Sequence, residues 1–252
     1  MHSDLVLLRE LIDGSPLIGA APGRGKPEAV IVRVEAEVGA LAPSYRWWLR
    51  EYGEGTLGGV EIGTVRADRW DDLTADGECA DLGGLWLSEG RLTFFADQDG
   101  GERYAFVPGG AGQEHPVVRL DPLNGEEERV AESFAGFLAV WTARALGLRD
   151  GPNPSVARLW RSTPGVSLPN GVLIHGPHTL RERNETFEIG RYAPGWTLVG
   201  DDSGGSGFFM RHHGRDRSSV YRLGLGAVGG DVAEYGERVT DDLMGWVAAG
   251  CP

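Results

Sequence analysis

PSYRWWLREYGEGTLGGVEI, residues 43–62, sets two adjacent tryptophans beside four glycines and then an apolar strand pattern. Pro43 suits the first turn of a helix, where its missing N–H is not needed. Tyr45, Trp48, Leu49 and Tyr52 recur at helical spacing and form one apolar stripe. Gly53 is expected to stop that helix, and Gly55 with Gly58–Gly59 to allow a tight reversal into a strand over Val60–Val65. Trp47 sits opposite the stripe, so it should pack against the N-terminal segment, the second half of the chain or a partner surface. Taken alone, the stretch fits either an active-site loop or a fold signature.

The rest of the chain favours the fold signature. FFADQDGGERYAF (94–106) lines up without gaps on LVGDDSGGSGFFM (198–210). GGVEIG (58–63) matches NGVLIH (170–175), and VAESFAGFL (130–138) matches VTDDLMGWV (239–247). Three blocks in one order imply a duplicated domain. Each central block predicts a β-hairpin around an acidic, glycine-rich turn. Each closing block predicts an amphipathic helix, through Val130, Phe134, Phe137, Leu138 and Trp141 in one and Val239, Leu243, Trp246 and Val247 in the other. Strands and helices do not alternate regularly, which points to an α+β fold of mostly antiparallel or mixed sheets flanked by helices. GLRDGPNP (147–154) is the natural linker. It divides the chain into a first domain at 1–150, with an N-terminal extension over 1–25, and a second at 151–252.

Composition narrows the function. The chain has 252 residues, with 24 Lys and Arg against 37 Asp and Glu, a formal charge of −13. That balance argues against nucleic acid as a direct ligand, because phosphate binding needs a basic face. Cys79 and Cys251 form neither a disulfide framework nor a metal-ligand spacing, so a reducing compartment is expected. MHSDLVLLRELIDG lacks a basic n-region and breaks its apolar run with Arg9 and Glu10, unlike a signal peptide. No apolar run reaches membrane-spanning length. The expected location is cytoplasmic.

With these blocks in order, the sequence resembles the SUKH superfamily, which includes the yeast cell-wall and killer-toxin-resistance regulator and many bacterial immunity proteins. The carrying residues are P-x-x-Y-x-x-x-L-x-x-Y-G-x-G from Pro43 to Gly55, GGVEI (58–62), FFADQDGGERYAF and ESFAGFL (132–138). The second half resembles another branch through LPNGVLI (168–174), RERNETFEIGRYAPG (181–195) and LVGDDSGG (198–205). It departs from the pattern before LPNG, where PSVARLWRSTPG (154–165) is short and proline-broken, so its front helix is expected to be reduced or supplied by the first half. The resemblance implies two tandem SUKH-like domains with no catalytic apparatus, cofactor or metal. It implies an immunity protein that neutralises a cognate polymorphic toxin, with a basic nuclease as the expected kind. The alternative it leaves open is a non-catalytic regulatory scaffold with several protein partners.

Motifs that suggest chemistry fall short of it. GDDSGG (200–205) resembles a serine-nucleophile motif, yet Asp202 spoils its spacing and no histidine motif lies upstream; Ser203 with His212 or His213 is the nearest constellation. GAAPGRGKP (19–27) has Ala20 and Pro27 where a phosphate loop needs glycine and a hydroxyl. DQDGG (97–101) is followed by Glu102 and Pro108 where a calcium loop needs glycine and glutamate. His175, His178, His212 and His213 could form a two-plus-two zinc set, but adjacent residues of a strand point to opposite faces.

Charge is the feature left over. Residues 1–150 hold 14 basic and 26 acidic residues, a formal −12, whereas 151–252 hold 10 and 11. DRWDDLTADGECAD (68–81) carries Asp68, Asp71, Asp72, Asp76, Glu78 and Asp81 against Arg69 alone, with Trp70 among them. The plain account is a solvated connection. The functional account is a landing site for a basic protein, with Trp70 as its desolvated anchor and Trp47 as a second candidate. GEEER (125–129) is expected to precede a helix and serve its N-terminal dipole.

Overall fold

The structure, a computed structural model, describes residues 5–65, 80–81, 85–88, 91–96, 102–121, 123–149 and 151–252. The fold is α+β. By its internal contacts the chain divides into two units, residues 15–137 on one hand and 138–252 with the N-terminal helix α1 (Leu5–Gly14) on the other. The division falls between Phe137 and Leu138, ahead of the Gly/Pro-rich segment expected to mark it. Leu7, Leu8, Leu11 and Ile12 form the buried stripe of α1.

In residues 15–137, β1 (Ile18–Ala20), α2 (Glu28–Val38) and α3 (Pro43–Glu51) lead into β2 (Gly55–Leu57) and β3 (Val60–Ile62). The three strands form an antiparallel sheet in the order β1-β2-β3. A second sheet follows in chain order: β4 (Ala80–Asp81), β5 (Trp86–Ser88), β6 (Arg91–Ala96), β7 (Arg103–Phe106), β8 (Val117–Leu120) and β9 (Glu127–Ala131). The first turn of α4 (Phe134–Ala145) closes this unit.

The 43–62 stretch folds as its pattern dictates, except that β3 ends at Ile62. Tyr45, Trp48, Leu49 and Tyr52 are fully buried. Gly58 and Gly59 have φ of 61° and 85°, and two consecutive positive values are what a tight two-residue hairpin needs. Gly53, at φ 75°, passes so close to Arg24 that a Cβ would lie 2.3 Å from its carbonyl oxygen. Around α3 an aromatic cluster fills the core. Phe94 stacks on Phe106 at 4.4 Å between centroids, and Tyr45 meets Phe134 edge-on at 5.1 Å. Each such ring contributes roughly 1.5–3 kcal/mol through burial.

Residues 138–252 continue α4 into α5 (Pro154–Trp160), β10 (Val166–Ser167), β11 (Leu173–Ile174), α6 (Pro177–Thr186) and α7 (Ile189–Tyr192). They end with β12 (Trp196–Asp201), β13 (Ser206–Arg211), β14 (Val220–Gly224), α8 (Val232–Tyr235), β15 (Glu237–Thr240) and α9 (Leu243–Ala248). Strands β10 to β15 form a six-stranded antiparallel meander. Its core groups Ile189, Trp196, Leu198, Phe209, Leu223 and Val232. The short front helix α5 is capped by Asn153, whose side chain accepts from the Val156 N–H at 3.0 Å.

The two meanders share register details. In β6–β7 the pairs Thr93–Ala105 and Phe95–Tyr104 leave Phe94 as a bulge; in β12–β13 the pairs Leu198–Phe209 and Gly200–Phe208 leave Val199 as one. The Gly63 N–H donates to Phe94 O at 2.6 Å, and the His175 N–H donates to Val199 O at 2.9 Å. A further irregularity follows Val117 in β8 and Val220 in β14. These registers correct the ungapped alignment of the hairpins: β6 and β12 match one residue out of step with it, because the second turn is shorter by one. A bulge bends its strand and strengthens the local twist, so matched bulges give the two sheets similar curvature.

Two sequence expectations fail here. The closing blocks do not begin as helices: Val130 lies in β9 and Val239 in β15, and α4 and α9 start only at Phe134 and Leu243. Glu127 and Glu128 are likewise strand residues. Glu127 pairs with Arg91, and Glu128 with Arg119 at 2.6 Å, so GEEER serves the sheet edge and not a helix dipole. Ser133 is the residue that caps the start of α4, its Oγ accepting from the Gly136 N–H at 2.9 Å.

Candidate partner-binding surface

The acidic run connects β3 to β4. Asp68, Trp70, Asp71, Asp72, Asp76 and Glu78 lie outside the described residues. Asp81 is described as backbone in β4, paired with Trp86 of β5. The departure point of the run is firmly held. Tyr45 Oη donates to Gly63 O at 2.6 Å, Thr64 Oγ1 donates to Gly53 O, and Val65 is fully buried. The described elements on either side of the run in sequence are both strands, β3 and β4.

Trp47 is 7% exposed, and its ring meets Tyr52 edge-on at 5.8 Å. An indole so enclosed has little surface to offer a partner. Beside the departure point is an open cleft of about 490 Å³ whose lining includes Arg24, Glu54, Thr56, Glu61 and Thr64. Glu54 pairs with Arg24 at 3.5 Å and lies 4.0 Å from the Lys26 ammonium. Exposed pairs of this length are worth little, so these charges can change partners cheaply. Glu61 is exposed on β3 and makes no ion pair among the described residues. Sequence reasoning missed the cleft, because the return of Arg24 to Gly53 is a long-range contact with no local signal.

The remaining chemical candidates are dispersed. Ser203 stands at the β12–β13 turn with φ 55°; its N–H donates to Asp201 Oδ1 at 3.0 Å and its Oγ donates to Gly171 O at 2.9 Å. His212 lies at the other end of β13, where its N–H donates to Gly195 O at 3.1 Å. The length of that strand puts the two about 20 Å apart. His212 and His213 were expected on opposite faces, but β13 ends at Arg211 and their rings touch, with centroids 4.0 Å apart. His175 is fully enclosed, with Nε2 3.5 Å from Asp201 Oδ2, and burial pushes its pKa down to about 4 despite that carboxylate. Burial likewise pushes the Cys251 thiol up to about 11, away from nucleophilic character. Among the described residues no group of three or more His, Cys, Asp or Glu could hold a metal ion. Among the same residues no helix is long and apolar enough to cross a membrane.

Among the described residues the first unit thus joins an aromatic helix, stapled to a small sheet, to an open cleft. Residues 27–140 match the model of the SMI1/KNR4 family (SUKH-1), which supports a SUKH domain in this segment. The match leaves residues 141–252 outside it. Among curated proteins, none matches the chain.

Proposed function

We propose that this protein is a bacterial immunity protein that acts in the cytoplasm and neutralises a cognate toxin by binding it. SUKH domains in bacteria often act as toxin immunity proteins, and residues 27–140 supply such a domain. The observation that carries the reading to this chain is the acidic run, −5 over residues 68–81, within that segment of the sequence. An acidic face complements the basic surface with which a nuclease holds phosphate, so a basic nuclease is the toxin proposed. Binding would occlude or distort the toxin's active site.

We further propose that residues 151–252 are a diverged second SUKH-like copy that extends the interface or braces the first. The support is the shared bulge, the shared hydrogen bond to it, and a helix starting at Pro43 in one half and Pro154 in the other.

The test is the combined variant Asp71→Asn, Asp72→Asn, Asp76→Asn and Glu78→Gln, with association to the toxin isolated from the native host followed by stopped flow. Association should slow about ten-fold or more at low salt, with an unchanged circular dichroism spectrum. An unchanged rate would remove the acidic run from the interface.

A further inference from the structure

A second, smaller cavity lies between the segment that joins α2 to α3 and the sheet of β4 to β9. It has a volume of about 100 Å³, and its walls include Leu41, Leu92, Phe106, Pro108 and His115. Gly39, Ala40 and Gly109 also border it and are exposed, so it opens to solvent on that side. The walls are well fixed. Glu114 accepts from the Ser44 N–H at 3.1 Å and from Ser44 Oγ at 2.7 Å, which ties the 107–116 loop to the start of α3. The Val107 N–H donates to Pro116 O at 2.8 Å and closes the base of the loop.

His115 is the anomaly in this wall. It is 5% exposed, and its Nε2 is buried without a hydrogen-bond partner among the described residues. Its ring packs edge-on to Phe106 at 6.4 Å, and a Cβ on Gly109 would lie 2.6 Å from its Cδ2. Only a glycine leaves the imidazole where it is. A buried polar nitrogen without a partner is costly and rare in native interiors. Burial lowers the pKa of His115, which keeps the ring neutral and able to donate from one nitrogen and accept at the other.

We propose that this cavity binds a small apolar group carrying one hydroxyl, of the phenol type, which inserts between Leu41, Leu92 and Phe106 and hydrogen-bonds the His115 imidazole. Size and chemistry both support this. An apolar cavity of ~150 Å³ holds benzene when fully enclosed, and here the open side at Ala40 and Gly109 lets part of the ring protrude. Apolar walls select the ring, and the unpartnered imidazole selects the hydroxyl. The group could arrive as a free molecule or as a tyrosine side chain of a bound protein.

The test is a titration of the whole protein with phenol, benzene and N-acetyl-tyrosinamide, followed by the ¹⁵N resonances of the His115 ring. Phenol should shift those resonances saturably, and benzene should bind about five-fold more weakly. In His115→Phe the two affinities should converge; if that variant does not fold, the wild-type comparison of phenol with benzene decides alone. A matching shift with N-acetyl-tyrosinamide would assign the site to a protein side chain, and a shift with phenol alone would assign it to a free small molecule. No saturable shift with phenol, or benzene binding as tightly as phenol, would overturn the proposal.

Discussion

The Tyr45 hydroxyl donates to the Gly63 carbonyl at 2.6 Å, tying α3 to the strand end from which the acidic run departs. In the other unit the Trp160 indole N–H, from α5, donates to the His175 carbonyl at 3.0 Å. Gly63 and His175 are also the two residues whose N–H groups reach the bulged strand. One residue in each half therefore holds a helix through its carbonyl and the bulged strand of a hairpin through its amide.

Tyr45→Phe keeps the ring and removes the donor, leaving a buried carbonyl short of a partner. It should cost about 1–2 kcal/mol in urea denaturation. Trp160→Phe should cost more, because it also leaves a cavity. Stability unchanged in Tyr45→Phe would show that the bond adds nothing to holding α3 in place.

Much of this was legible in the sequence because it rests on local pattern. The α3 stripe, the Gly58–Gly59 reversal and both hairpins follow from periodicity and turn chemistry. What failed needed contacts across the sheet. The offset of β6 against β12 is invisible in an ungapped alignment, since bulges at Phe94 and Val199 carry no composition signal. Val130 and Val239 fit a helical stripe equally well as irregular positions near a strand's end, and only the pairing of their neighbours with β8 and β14 decides. The cleft beside Glu61 and the grouping of α1 with residues 138–252 depend on tertiary packing, which no window of sequence contains.

His175 sets an acid limit on stability. Its pKa falls from an unfolded value of 6.5 to about 4 in the fold, chiefly through burial, with Arg183 lowering it further and Asp201 opposing. The unfolded chain thus binds a proton that the folded chain refuses. The contribution is complete above about pH 7, is lost as pH falls from 6.5 toward 4, and amounts to about 3 kcal/mol over that window. Urea denaturation at pH 7.5, 5.5 and 4.5 should show this loss, and His175→Gln should flatten it. An equally steep decline in the variant would place the acid sensitivity elsewhere.

Leu8 of α1 is fully buried, and α1 groups with residues 138–252. Leu8→Ala should cost about 2–5 kcal/mol. Hydrogen exchange should accelerate in β10 to β15 more than in β4 to β9. Equal acceleration in both sheets would contradict the assignment of α1 to the later unit.

Under the proposed function, the protein neutralises one basic toxin through its acidic run. The most direct measurement is capture of partners from the native host at low and high salt, with identification of the bound proteins and an assay of the dominant one with and without this protein. A single dominant basic protein is expected, released at high salt, with its activity falling when the complex forms. Several weak or acidic partners, or a dominant partner whose activity is untouched, would contradict it and favour a regulatory scaffold.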